Sequence, residues 1–404
     1  FISDNTRSRY GKRRQYVFLG AIITGISFIL MWQLYIENGI VFNFWYFLLC
    51  SLVFYLGITI FGIPFVAMGY EMSDDFHERT KIMAVSQFIG QFAWIIAPWI
   101  WVIIYDPAIF ADPAAGTREL SIYIGIACTI FAITPAIFIK SRSTIDDDNL
   151  VPLTRKNIGA SFSNIFNIFK DAYKNIPFRK LCLATFLVFN SFQTIAAFSF
   201  FIIVHYLFSG DASSAGIWPT LHGSVGALIT TLLVIPVVSK MAQKYGKRQT
   251  FIVSQSISII GYILFWFLFI PGKPYMFLYA LPFFSFGIGG LFTVMMSMTA
   301  DVCDYEELQN GLPRKEGAFG AIYWWMVKLG TALAGLFAGI IMWYVGFAPD
   351  AATQPEGALT GLRFFYTFIP IMGTSLAIYV MWDYDIDEKR AKEIKAELLI
   401  KNNS

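Results

Sequence analysis

Charged residues make up only 14% of this 404-residue chain. Soluble domains carry about 25%, so the shortage excludes most water-facing folds. The net charge of +3 is too small to support a nucleic-acid-scale basic field. Only four cysteines are present, in neither paired nor metal-ligand spacing, which excludes a disulfide framework and a zinc module. The three histidines, His77, His205 and His222, are scattered. No His-Glu-x-x-His, Cys-x-x-Cys or Gly-x-Ser-x-Gly occurs, so a membrane-embedded enzyme would have no reacting constellation. We expect no enzyme, no metal and no cofactor.

What the chain has in abundance is apolar length: 56% of its residues are hydrophobic and 18% aromatic, with 41 Phe and 11 Trp. A helix needs about 20 apolar residues to cross the hydrocarbon core of a bilayer. Ten segments qualify, roughly 16–37, 44–68, 82–105, 120–139, 181–207, 217–239, 250–271, 275–299, 318–346 and 361–382. Irregular backbone cannot face lipid, so each must be helical, and the expected class is an all-α membrane protein. The connections sort by charge. One set holds Arg7, Arg9, Lys12, Arg13, Arg14, Arg79 and Lys81, the stretches 140–180, 240–248 and 314–315, and the tail from Lys389. The other holds Arg118 and Lys273, with Arg363 just inside the last span. The positive-inside rule makes the basic side cytoplasmic. Both ends of the chain then face the cytoplasm, and a bacterial inner membrane is the expected location.

The longest polar connection separates four spans from six. We expect an N-terminal bundle over 1–141, a central linker over 142–180, a C-terminal bundle over 181–382 and a cytoplasmic tail over 383–404. Within the linker, Phe162, Ile165, Phe166, Ile168 and Phe169 gather on one helical side, as in an interfacial amphipathic helix. Tyr10-Gly-Lys-Arg-Arg14 and Tyr245-Gly-Lys-Arg248 each open a span after a basic turn. Such a recurrence suggests duplicated six-helix units. The first unit holds only four spans, so two helices are expected before Phe1.

Three stretches resemble the major facilitator superfamily and, within it, the glycoside–pentoside–hexuronide:cation symporter family. They are Ser3-Asp-Asn-Thr-Arg-Ser-Arg-Tyr-Gly-Lys-Arg13, the segment from Gly62 to Thr80 with its Gly-Tyr-Glu-Met-Ser-Asp-Asp core, and Ala300-Asp-Val-Cys-Asp-Tyr-Glu-Glu-Leu-Gln-Asn-Gly-Leu-Pro-Arg-Lys-Glu-Gly317, followed by Lys328-Leu-Gly330. The resemblance covers essentially the whole chain. It implies a major facilitator fold of two six-helix bundles, of which helices three to twelve are present. It further implies symport of a sugar, glycoside, oligosaccharide or uronate with Na+ or H+. In this family the cation rests on carboxylates of helix two, and a helix-one acid meets the sugar. Correspondingly, no Asp or Glu lies near the middle of any of the ten spans here. The melibiose permease branch carries Asp, Trp and Arg at the positions of Gly62, Val66 and Gln87; none is kept, so galactoside recognition of that kind is not expected.

Lys328 is the only charge deep in a span, about 15 Å from the start of its segment at 1.5 Å per residue. Burying an ammonium there costs at least about 2.5 kcal/mol unless it is paired or hydrated. The resemblance turns it toward the central cavity. Trp324 and Trp325 precede it by four and three residues and can share its face, with Tyr323 beside them. Flat rings suit the C–H faces of a sugar. Gln87 and Gln91, and likewise Asn190 and Gln193, place paired amides on span faces, where they bind substrate or bond helix to helix. His222 is read as a packing donor. By resemblance Thr59 stands at the cation site, where its alternative is a bond to its own helix. The acids Asp301, Asp304, Glu306 and Glu316, set among basic loops with Arg13, Arg79 and Arg314, read as a solvated surface or, by resemblance, as a cytoplasmic gate. The alternative for the whole chain is the same fold carrying a lysolipid or drug-like amphiphile. Its partners are the solute, a coupling cation and the bilayer.

Overall fold

The computed structural model describes residues 2–71, 85–86, 89–139, 143–145, 154, 157, 159, 163, 169–170, 172–310, 316–348, 351, 353–355 and 357–403. Among these there is no strand, and nine helices are long and apolar enough to cross a membrane. The helices are α1 (Arg14–Met31), α2 (Ile40–Glu71), the shorter apolar α3 (Ile89–Ile104), α4 (Pro113–Phe138), α5 (Ile176–Leu207), α6 (Ala212–Tyr245), α7 (Lys247–Leu268), α8 (Leu281–Asn310), α9 (Glu316–Tyr344) and α10 (Ala358–Trp382). A further helix, α11, spans Glu388–Asn403. The amphipathic stretch expected over 157–173 falls largely outside the described residues.

The chain divides into two units, one of Phe1–Gly90 with Ile103–Phe166, the other of Gln91–Val102 with Asn167–Ser404. In the first, α1 packs on α2 and α4 through small residues. A Cβ on Gly20 would stand 2.5 Å from the Phe61 nitrogen, so the two backbones touch there. In helix pairs without a water-driven force, such close approach supplies the van der Waals contact. Val17, Met68 and Ala136 form a small core under the stacked rings of Phe61 and Phe65. At the basic end Arg13 donates to the Ala67 carbonyl (3.1 Å), and Arg14 to those of Ala136 (2.7 Å) and Ile137 (3.0 Å). Adjacent cations thus cover the negative C-terminal ends of two helices.

The second unit carries the larger core. Phe178, Phe319 and Tyr323 head one cluster; Phe265, Phe277, Phe284 and Tyr366 head another. Asn175 caps α5 by accepting from Phe178 N at 3.0 Å. The kinked α3 docks through its carbonyls. Pro98 has no N–H to give the preceding turn, and nearby carbonyls are taken by hydroxyls of α6: Ser224 bonds Ile95 O (2.5 Å) and Thr220 bonds Pro98 O (2.8 Å).

Three expectations about element ends change. Arg118 lies within α4, not in a loop, because Asp112 caps Ala115 N at 2.8 Å and Pro113 occupies the first helical position. Helix α8 runs to Asn310, so Asp301, Asp304 and Glu306 sit on a helix end rather than among loops. The tail is a helix whose Ile394 (1% exposed) and Leu398 (8%) enter the core together with Tyr384 and Ile386. The basic-turn glycines do recur as structure: Gly11 has φ 87° and Gly246 φ 85°, and a helix follows each.

Candidate functional site

Helix α9 carries the residues with most chemistry. At 1.5 Å per residue Lys328 lies about 18 Å from its Glu316 end and about 24 Å from its Tyr344 end, so the ammonium stem starts near mid-span. Its side chain is exposed from the protein and has no polar partner among the described residues. Turning about 100° per residue, the helix sets Trp324 about 40° from Lys328 and Tyr323 about 140° away. The packing follows. Trp324 is 45% exposed and stacks on Phe292 of α8, with ring centroids 5.9 Å apart. Trp325 sets its ring edge-on to Phe169 at 5.8 Å. Tyr323 is fully buried in the core, beside Cys182 and Thr185, and its hydroxyl has no hydrogen-bond partner among the described residues.

Two amides reach α9 from α5. Asn190 Nδ2 donates to the Gly330 carbonyl at 3.1 Å, and Gln193 Nε2 to Thr331 Oγ1 at 3.4 Å. Gly330 packs against the α5 backbone at Phe186 and Asn190. Gln91 Oε1 of α3 accepts from Thr231 of α6 at 3.3 Å. Lys328, Trp324, Asn190 and Gln193 therefore lie on two helices in direct contact, while Gln91 stands on a different pair. Gln87 lies outside the described residues. Thr59, on α2 in the first unit, is exposed and gives its hydroxyl hydrogen to Tyr55 O at 2.8 Å, which leaves its oxygen lone pairs outward.

His222 is buried in an aromatic box of Phe265, Phe277 and Phe284, and its Nε2 meets the Tyr366 hydroxyl at 3.2 Å. That is the environment of a packing donor. At the basic end of the second unit Lys247 pairs with the buried Asp301 at 2.5 Å, and Asn175 Nδ2 donates to Glu306 at 2.8 Å. Asp304 is buried as well. Tyr384 packs beside this cluster. Burial, then the charges of Asp301 and Asp385, push its phenol well above the usual range. Lys180 ties down the tail by donating to the Asp383 carbonyl and pairing with Asp385 at 3.0 Å. Arg79 and Arg314 lie outside the described residues, as does the side chain of Glu316.

Sequence reasoning missed Thr231 and Thr331, the polar partners of Gln91 and Gln193. Thr331 was accessible to it: seven residues beyond Trp324, it returns to the same helical face. Thr231 carries no such signal, because it meets Gln91 across 140 residues of chain. Also missed was Arg363, whose guanidinium lies between the rings of Tyr206 (4.0 Å) and Trp266 (4.8 Å) and donates to Trp266 O.

The family model for MFS/sugar transport proteins matches residues 1–388. The chain is similar to a glucuronide carrier protein homolog of Escherichia coli (strain K12), 28% identical over 225 residues, which are 56% of this chain and 47% of that protein. That match thus spans less than half the relative's length. Others run longer: an isoprimeverose transporter of Lactiplantibacillus pentosus is 22% identical, covering 96% of this chain and 77% of that one. A putative glycoside/cation symporter of Escherichia coli (strain K12) is 19% identical, over 98% and 81%. Among solved structures, a bacterial homolog of the human lysosomal transporter Spinster aligns with a TM-score of 0.63 at 14% identity, covering 98% of this chain and 85% of that one. The inward-open xylose transporter of E. coli aligns at 0.57 and 15%, over 95% and 82%. These structural likenesses are of fold.

Proposed function

We infer that this chain, which belongs to the MFS/sugar transport protein family, is the membrane portion of a secondary active transporter that moves a sugar or glycoside together with a cation by alternating access. The observation that carries this reading is the ammonium of Lys328 at mid-span, on one helical face with Trp324 and on the helix that Asn190 and Gln193 bond through Gly330 and Thr331. An unpaired charge at that depth is costly unless a polar solute, water or a counter-charge meets it. The ring of Trp324 supplies an apolar platform for the C–H face of a pyranose, and the amides supply donors and acceptors for its hydroxyls. Names of the relatives, a glucuronide carrier homolog and an isoprimeverose transporter, support glycosides and uronates as the solute class.

Gln91, held by Thr231, and Gln87 complete the proposed solute contacts. Tyr323 backs the strip from within the core. Thr59 is the proposed oxygen ligand for the coupling ion, Na+ or H+, since a hard cation favours oxygen. Arg13, Arg79, Asp301, Asp304, Glu306 and Arg314 form the proposed inner gate, a set of charges whose partners change as the site opens. The basic connections orient this end toward the cytoplasm, in a bacterial plasma membrane.

The test is uptake in proteoliposomes containing the full-length protein, against neutral glycosides and uronates, with and without Na+ and pH gradients. We expect gradient-driven uptake of one class and its loss in Lys328→Ala. A wild-type protein that carries no glycoside under either gradient, but binds an amphiphile, would overturn the solute class.

A further inference from the structure

We propose that Thr331 and Gln193 together form a hydroxyl-reading pair that sets which glycoside is accepted. This rests on the transporter reading above and assigns the division of labour within its site.

The argument begins with helix geometry. Trp324, Lys328 and Thr331 follow one another at steps of four and three, so they form a single stripe along α9. From Lys328, Thr331 lies about 4.5 Å along the axis and Trp324 about 6 Å in the opposite direction. A solute whose ring lies on Trp324 and whose polar edge meets Lys328 would present its next hydroxyl at Thr331.

Hydrogen-bond capacity comes next. The Thr331 hydroxyl donates its one hydrogen to Val327 O at 3.2 Å and accepts one hydrogen from Gln193 Nε2 at 3.4 Å. One lone pair on Oγ1 is left. The Gln193 amide keeps its second N–H and both lone pairs of Oε1, which takes no hydrogen bond among the described residues. A donor and two acceptors therefore stand side by side. A sugar hydroxyl can give its one hydrogen to either free oxygen and accept the free N–H on one of its lone pairs, so the pair can engage it in both directions.

The neighbouring amide serves as the contrast. Asn190 spends an N–H on a backbone carbonyl, that of Gly330. It acts as a strut that fixes the depth and rotation of α9. Gln193 lies one turn further along α5 and bonds a side chain instead. Thr331 is exposed from the protein and Gln193 is only half-buried, so a solute can reach both. Simple helix packing would place such a pair inside the interface, as it places the buried Ser191 and Thr194 of the same helix.

The experiment uses the full-length protein in proteoliposomes and a fixed panel: methyl β-D-glucoside, galactoside, xyloside and glucuronide, then the monodeoxy analogues of whichever is carried. For the parent glycoside, Thr331→Val and Gln193→Leu should each raise KM about tenfold, the loss of one neutral hydrogen bond, with kcat little changed. Thr331→Ser should restore the wild-type value. For one deoxy analogue, wild type and both variants should have equal KM, because the hydroxyl they read is gone. Asn190→Ala, which removes the bond to the Gly330 carbonyl, should in addition lower the melting temperature. The proposal is overturned if Thr331→Val and Gln193→Leu raise KM equally for the parent and every deoxy analogue, or if they change only the melting temperature. Wild-type protein that carries none of the panel would overturn the transporter reading itself, and this proposal with it.

Discussion

Tyr384 shows what burial does to one polar group. Its ring is 2% exposed and its hydroxyl has no hydrogen-bond partner among the described residues. A buried hydroxyl left unsatisfied costs about 1–3 kcal/mol, so Tyr384→Phe should raise stability by about 1 kcal/mol, measured as a higher melting temperature in detergent. The phenol's folded pKa is raised, so its neutral form contributes stability that is complete below about pH 10 and is lost as pH climbs toward the folded value. The Phe variant should lose that alkaline sensitivity. Asp211 runs the other way. Hydrogen bonds from Ser213 and Ser214 hold its carboxyl at about 2, so its contribution is present above about pH 4 and fades between there and pH 2. Asp211→Asn should flatten the acid limb of a pH–stability profile. At this scale the sequence was readable wherever placement follows helical spacing. Lys328 and Trp324 share a face because four residues nearly complete a turn. Tyr323, one place earlier, turns into the core, and no local signal separates an aromatic that meets solute from one that fills a helix interface. Arg363 had no legible partner, since it meets Tyr206 and Trp266 on other helices.

Helices were read more surely than their ends. Hydrophobic length located the nine long spans, because a bilayer admits little besides helix over such runs. Ends depend on capping and on tertiary charge. Helix α8 continues through Asp301, Asp304 and Glu306, although acids at a helix C-terminus oppose its dipole. Lys247 and Asn175 offset that cost through their bonds to Asp301 and Glu306. Crossings were less legible still. The Gly261 backbone meets that of Phe284 so closely that a Cβ would stand 2.4 Å from its nitrogen. Gly261→Val should therefore separate α7 from α8 and destabilise by about 1–3 kcal/mol, seen as a lower melting temperature and earlier proteolysis between them. In the sequence Gly261 looks like any other membrane glycine.

Across the whole molecule, the basic-turn repeat predicted from two short strings holds in conformation, since Gly11 and Gly246 adopt nearly the same left-handed φ ahead of a helix. At the second turn Glu388 of the tail lies where a Cβ on Gly246 would come within 2.9 Å of its carboxylate. Composition gave no hint of this docking, because half of α11 is charged and its apolar contribution rests on a few positions. Ile394→Ala should destabilise the second unit by about 2–5 kcal/mol, as core truncations do, whereas an exposed tail residue such as Lys392→Ala should change stability by less than about 0.5 kcal/mol.

That docking also bears on how the protein is made. Tyr384, Ile386, Ile394 and Leu398 fill a core whose other walls come from α5 through α10, yet they leave the ribosome only after every described span has been synthesised. Until then the inner surface around Phe178, Phe319 and Val302 is open, and a nascent chain halted near Trp382 exposes it. The docking of this helix is therefore the last step that completes the core of the second unit. A chain that stops short of it would carry all its described spans yet leave Phe178 and its neighbours in that core uncovered.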